Sequence, residues 1–178
     1  MSRVYFISDL HLGHSKILDF AGKYRSWGAS SIDEHDHILI ERITSVCRSK
    51  RDVLYILGDV CMDITKMELL NDIPAKKILV RGNHDNFDMG VYLKYFDKIE
   101  GFCRYKNHWV SHCPIHPTEL RGKRNIHGHL HGNLIMCNYP LDKYRDTHYI
   151  NVCVENCNGY PINFADIKDG TFKGEIII

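Results

Sequence analysis

The chain has 178 residues, enough for one domain to bury a core without disulfides or a structural metal. Its 23 lysines and arginines almost cancel its 22 aspartates and glutamates, so net charge gives no pull toward a polyanion or an acidic membrane surface. No apolar run approaches the ~18 residues of a membrane span, seven irregularly spaced cysteines fit a reducing cytosol better than a disulfide framework, and twelve histidines direct attention to metal chemistry.

From the N-terminus, the apolar stretch Val4–Ile7 is too short for a signal-peptide core and reads as a buried strand that runs at once into Asp9 and His11. A capping box at Ser31-Ile32-Asp33-Glu34 starts a helix that carries Leu39, Ile40, Ile43, Val46 and Cys47 on one face. Val53–Leu57 is the next strand, Asp63–Asp72 a helix, Lys77–Val80 a third strand, and Phe87–Phe96 another helix. Phe102–Tyr105, Trp109–Ser111 and Tyr149–Val154 follow as strands, and Glu175–Ile178 closes the chain as one more. With no repeat or linker to divide it, residues 1–178 are expected to form one α/β domain, a class of sheet that collects ligands beyond the carboxyl ends of its strands.

That is where the polar residues fall. The first strand leads to Asp9 and His11, the second to Gly58-Asp59, the third to Gly82-Asn83-His84-Asp85, and Trp109–Ser111 to His112. Further on, Ile126-His127-Gly128-His129-Leu130-His131 places His129 and His131 on one side of a segment expected to be extended. Asp9, His11, Asp59, Asn83, His112, His129 and His131 make a mixed oxygen and imidazole set without thiolate, enough for two ions if one carboxylate bridges them. Such donors suit manganese foremost, with iron, nickel or zinc as alternatives. Two such ions can activate a water and clamp both the attacking and the leaving oxygen at phosphorus.

The five blocks, in this order, resemble the calcineurin-like metallophosphoesterase superfamily, over a stretch from Asp9 to His131. The resemblance implies a four-layer α/β/β/α sandwich. It also implies that Asp9, His11 and His131 hold one metal and Asn83, His112 and His129 the other, with Asp59 bridging. His84, left free of metal, is then the catalytic general acid that protonates the leaving oxygen after attack by a metal-bridging hydroxide. Where the protein serine/threonine phosphatase branch continues its second block through an arginine, this chain reads Gly58-Asp59-Val60-Cys61-Met62-Asp63, which disfavours a phosphoprotein substrate. Whether Asp63 or Asp85 orients His84 stays open.

The expected activity is therefore hydrolysis of small phosphodiester or nucleotide-like esters in the cytoplasm, with no membrane partner and no strong nucleic-acid signal. A phosphomonoesterase acting on nucleotides or sugar phosphates is the alternative within enzymology, and a non-catalytic interaction scaffold the rival outside it. Other residues stand outside the site: His14 divides between phosphate contact and plain loop, Arg81 is a solvated strand-end charge, and His35 and His37 are surface positions. Cys153 and Cys157 are buried thiols, and His116, His127 and His148 are undecided.

Overall fold

Two sheets carry the molecule in the computed structural model, which describes residues 2–138 and 143–172. The first runs β11 (Ile162–Asn163), β1 (Val4–Ile7), β2 (Val53–Ile56), β3 (Lys76–Val80), β4 (Lys98–Glu100), all parallel except β11. The second runs β10 (Tyr149–Asn151), β7 (Arg124–His127), β6 (His108–Ser111), β5 (Phe102–Tyr105), with only β5 antiparallel. A separate antiparallel pair joins β8 (Met136–Asn138) to β9 (Lys143–Arg145).

Strands of the first sheet are apolar on both faces because both faces are covered. Tyr5, Ile7, Leu54, Ile56 and Leu79 pack beneath α2 (Ile32–Val46) and a 3₁₀ helix (Ile64–Asp72), against Leu39, Ile43, Met67 and Leu70. Phe6, Leu57 and Val80 point the other way and meet Val110, Ile126 and Ile150 of the second sheet. Each fully buried aliphatic side chain contributes on the order of 2 kcal/mol. On the outer side of the second sheet, Ile115 is tied to β7 and β10, its N–H donating to Asn125 Oδ1 (2.9 Å) and its carbonyl accepting from Tyr149 OH (2.7 Å), while Phe102 of β5 is left exposed.

The helix at Ser31 forms as its sequence dictates, the Ser31 hydroxyl accepting from Glu34 N–H. Asp63–Asp72 takes the tighter 3₁₀ form, capped by Asp63 Oδ1 on Thr65 N–H at 2.9 Å. Phe87–Phe96 shortens to α3 (Met89–Tyr92), with Gly90 inside it weakening a longer helix. Tyr149–Val154 is regular only to Asn151. Residues 152–154 then cross to the first sheet, where Ser8 N–H donates to the Val152 carbonyl and Val154 N–H to that of Ser8. Two elements lie outside the sequence expectations: α1 (Ile17–Arg25), whose apolar residues Ile17, Phe20, Ala21 and Tyr24 do share one face but which buries only Ile17 and Arg25 and has no side-chain cap, and the short α4 (Phe164–Lys168). The expected closing strand Glu175–Ile178 lies outside the described residues. Among the described residues no helix is long and apolar enough to cross a membrane.

Candidate metal centre

The carboxyl ends of β1, β2, β3, β6 and β7 converge on one edge, and the residues that follow them turn abruptly. Asp9 (φ 61°), His11 (φ 49°), Asp59 (φ 52°), His129 (φ 70°) and His131 (φ 49°) all occupy the left-handed region, sparsely populated for residues with a Cβ and typical of functional sites. This corrects the expectation of an extended segment through His129 and His131. β7 ends at His127, and the two imidazoles are brought round by turns instead. Two glycines make the crowding tolerable. A Cβ on Gly58 (φ 87°) would lie 2.6 Å from Gly82 Cα and 2.7 Å from His112 Nδ1, and one on Gly128 would lie 2.5 Å from Asp9 Oδ2.

The donor atoms approach one another without pairing off. His112 Nε2 lies 2.9 Å from Asn83 Oδ1, 3.2 Å from His129 Nδ1 and 3.4 Å from Asp59 Oδ2. The same Asp59 Oδ2 is 3.8 Å from His11 Nε2, which is 3.8 Å from Asp9 Oδ1. Asp9, His11 and His131 offer ligand atoms within 4.8 Å of one another, as do Asp9, Asp59 and His112. Asp9 Oδ1 and both ring nitrogens of His11 are buried with no hydrogen-bond partner among the described residues, a costly state for apolar surroundings but a natural one for ligands facing a cation. Separations of this size match the edges of a coordination polyhedron with bonds of roughly 2.1 Å. The residues present therefore fit divalent metal.

Electrostatics agree. Burial alone would raise the Asp9 carboxyl, yet His11, His112 and Ser8 hold it well below the usual carboxylate range. Burial likewise opposes the charge on His112, but the neighbouring Asp59 and Asp9 overcome it and push the imidazole up to about 9.

His84 stands at the exposed rim, its N–H donating to Asp59 Oδ1 (2.9 Å) and its ring 5.8 Å from that of His11. Neither carboxylate considered as its orienting partner reaches it. Asp85 is spent on main chain, accepting from Asp59, Val60 and Gly82 N–H at 2.7–2.9 Å, and Asp63 caps the 3₁₀ helix. His14 stacks edge-on to His11 at 5.7 Å. The Arg81 side chain is exposed as expected, although its Nε donates to the Asp85 carbonyl.

Several participants were not visible in the sequence. His131 Nδ1–H donates to Glu155 Oε1 (2.9 Å), and Arg25, fully buried, donates to the same oxygen (3.1 Å) and to the carbonyls of Asp9 (3.1 Å) and Leu10 (2.6 Å). Arg25 Nε also donates to His35 Nε2, whose Nδ1–H donates to Asp36, and Asp36 accepts from Gly13 N–H in the loop after His11. His35 is thus buried, stacked on Trp27 at 5.3 Å, which corrects its assignment to the surface: α2 turns it inward to accept from a buried guanidinium. His37 is exposed. Cys153 is buried as expected, its thiol donating to Asp9 Oδ2 (3.1 Å), and Cys157 is buried too. Cys113 stands within ligand distance of His112 and His129, a thiol the sequence pattern had not brought into the site. His127 is buried and held neutral, its pKa pulled down to about 4 by burial. His116 caps a 3₁₀ turn and His148 pairs with Asp146, both away from the cluster.

A fold of parallel strands with histidine and carboxylate donors at their carboxyl ends defines a metal-binding hydrolase class, and comparison with known proteins places the chain within it. The calcineurin-like phosphoesterase family profile matches residues 2–156, and the chain belongs to that family. It is a metal-dependent phosphoester hydrolase. Among curated proteins it is 31% identical over 182 residues to an uncharacterised protein of Methanocaldococcus jannaschii, covering 99% of this chain and 96% of that one. It is 30% identical over 173 residues to the gene 66 protein of Mycobacterium phage L5, covering 76% and 81%. Among solved structures, a protein of unknown function from Aquifex aeolicus superposes with a TM-score of 0.72 at 26% identity, covering 95% of this chain and 99% of that one.

Proposed function

We propose that the chain hydrolyses small phosphodiester or nucleotide-like esters with two divalent metal ions, one held by Asp9, His11 and His131, the other by Asn83, His112 and His129, and both touched by Asp59. The observation that carries this is the position of Asp59 Oδ2 between His11 Nε2 (3.8 Å) and His112 Nε2 (3.4 Å). When bound, the metal pair supplies Lewis acidity at phosphorus and lowers the pKa of the attacking water. The mixed oxygen and imidazole donors favour manganese first, then iron, nickel or zinc. Among the described residues the His84 ring has no hydrogen-bond partner, and from the exposed rim it can give a proton to the leaving oxygen. Its main-chain bond to Asp59 Oδ1 ties that placement to the shared carboxylate. Free cysteines throughout fit a reducing cytoplasm.

The test compares metal-stripped with manganese-reloaded protein on bis(p-nitrophenyl) phosphate and p-nitrophenyl phosphate. Activity should return with metal and favour the diester. Activity that survives chelation would contradict the metal model, and preference for the monoester would turn the assignment to a phosphomonoesterase. His84→Ala should keep its metal while losing about 10²–10⁴ in rate on esters with an alkoxide leaving group and less on nitrophenyl esters. Loss of metal from that variant would make His84 a ligand. Equal slowing on both ester types would make it a phosphate-binding group instead.

A further inference from the structure

A cavity of about 210 Å³ opens directly beside His131, between α1 and residues 131–133. Its α1 wall is aromatic. Phe20 and Tyr24 stand four residues apart, on one face of the helix, with Ala21 beside them. Phe20 is 75% exposed, a large apolar surface left open next to a polar centre, and Tyr24 is 38% exposed. Phe20 also meets the ring of His14 edge-on at 6.2 Å, and His14 that of His11 at 5.7 Å, so the aromatic wall continues to the donor cluster itself. The remaining wall is polar, formed by His131, Asn133 and Glu155. Glu155 is 3% exposed and its Oε1 is used by Arg25 and His131, while Oε2 is buried with no hydrogen-bond partner. That oxygen is sealed from the cavity; the accessible acceptor in the wall is the amide oxygen of exposed Asn133, whose Nδ2 donates to the Leu130 carbonyl at 3.1 Å.

These features select a ligand group. The volume is below that of pockets which enclose whole drug-sized ligands and suits a single ring system. Two exposed aromatic rings favour a flat π-face, because base–aromatic stacking needs no particular sequence of bases and gains area at little entropic cost. The Asn133 amide oxygen favours a ring that carries an amino group. A sugar or an alkyl chain would satisfy neither the flat wall nor the acceptor as well.

We propose that this cavity is a nucleobase subsite, which holds an amino-bearing base while the phosphate attached to it lies at the neighbouring histidine and carboxylate cluster. The inference rests on the phosphoesterase reading above and sharpens it, since it makes the substrate a nucleoside ester. Phe20 and Tyr24 stack on the base, Asn133 accepts from its amino group, and His131 marks where subsite and reaction centre meet.

Two measurements separate the subsite from the reaction. In the first, manganese-loaded protein is titrated calorimetrically with adenosine 5′-monophosphate and with ribose 5-phosphate, which lacks the base. The subsite predicts that the nucleotide binds roughly 5- to 150-fold more tightly and that Phe20→Ala removes most of that advantage. Phe20 is exposed enough that its removal should leave the fold intact, which circular dichroism would verify. Equal binding of the two ligands to the native protein, or a preference untouched in Phe20→Ala and Tyr24→Ala, would overturn the subsite.

The second measurement compares kcat/KM for adenosine 5′-(p-nitrophenyl phosphate), thymidine 5′-(p-nitrophenyl phosphate) and methyl p-nitrophenyl phosphate, which share one leaving group. The expected order is adenosine, then thymidine, then methyl, with the adenosine-to-methyl ratio collapsing in Phe20→Ala through KM rather than kcat. A ratio near one in the native protein would overturn the subsite. If the nucleotide is preferred in binding but none of the three diesters is turned over, the subsite stands and the diesterase reading falls.

Discussion

Two groups of donors meet at Asp59, and the folded chain supports them differently. Asp9 and His11 are almost wholly buried, and around them with His131 lies a charged framework: Glu155 on His131 Nδ1, Arg25 on Glu155, and Arg25 again on the carbonyls of Asp9 and Leu10. In the other group, Asn83 is exposed and the imidazole of His112 is held from behind only by the main-chain carbonyl of Leu57, at 2.7 Å. One group is anchored by buried charged side chains, the other by main chain and at an exposed position. Outer partners of a metal ligand set its tautomer and aim, so the difference is one of preorganisation.

The largest effect expected from this contrast is on folding. Glu155→Ala would leave the fully buried guanidinium of Arg25 without its carboxylate, and breaking such a pair from one side costs about 3–5 kcal/mol. Asn83→Ala, on the exposed side, should stay within about 0.5 kcal/mol of the native protein. Denaturant titration of the metal-free variants measures both. A Glu155→Ala variant as stable as Asn83→Ala would erase the distinction between the two groups.

A smaller effect concerns affinity. Glu155→Gln preserves shape but takes the negative charge from behind His131, so one of the two metal affinities should weaken about 10- to 100-fold while the other holds. Competition with a fluorescent chelator would resolve the two, and equal weakening of both would show that the groups are not independently supported.

The smallest is a pH slope. In the metal-free protein His112 carries a proton up to about 9, because Asp59 and Asp9 outweigh the burial that would otherwise discharge it. Metal binding needs the neutral imidazole, so the proton must leave. Affinity at this group should therefore rise about tenfold per pH unit as pH climbs toward 9 and level off above it. Manganese binding measured from pH 6 to pH 8 checks this, and a flat profile would contradict the proton's role.

Much of the site could be read from sequence because its donors are short-range features: each follows a strand, within a few residues, and carries its own glycine or partner donor. Asp9-Leu10-His11 or Gly82-Asn83-His84 alone would pass for a turn or helix cap, and it is the ordered set of such blocks at strand ends that points to metal. The supporting residues could not be read this way. Arg25 and Glu155 are 130 residues apart, and nothing local distinguishes them from surface charges. The burial of His35 escapes the sequence for the same reason, since its partner Arg25 comes from α1, a short helix without a side-chain cap, ten residues away. Strands with continuous apolar runs were legible, and their parallel order followed from alternation with helices. The 3₁₀ form of Ile64–Asp72 and the left-handed turns at His129 and His131 depend instead on tertiary crowding at the sheet edge. The aromatic wall of Phe20 and Tyr24 is meaningful only beside His131, which the sequence leaves more than a hundred positions away.

The central claim is that the two groups share Asp59, and counting metal tests it most directly. Isothermal titration of the metal-free protein with manganese, confirmed by elemental analysis after dialysis, should find two ions per chain in the native protein. Asp59→Asn should lose at least one of them, together with hydrolytic activity. A native protein that is fully active with a single ion, or an Asp59→Asn variant that still holds two, would contradict the shared carboxylate.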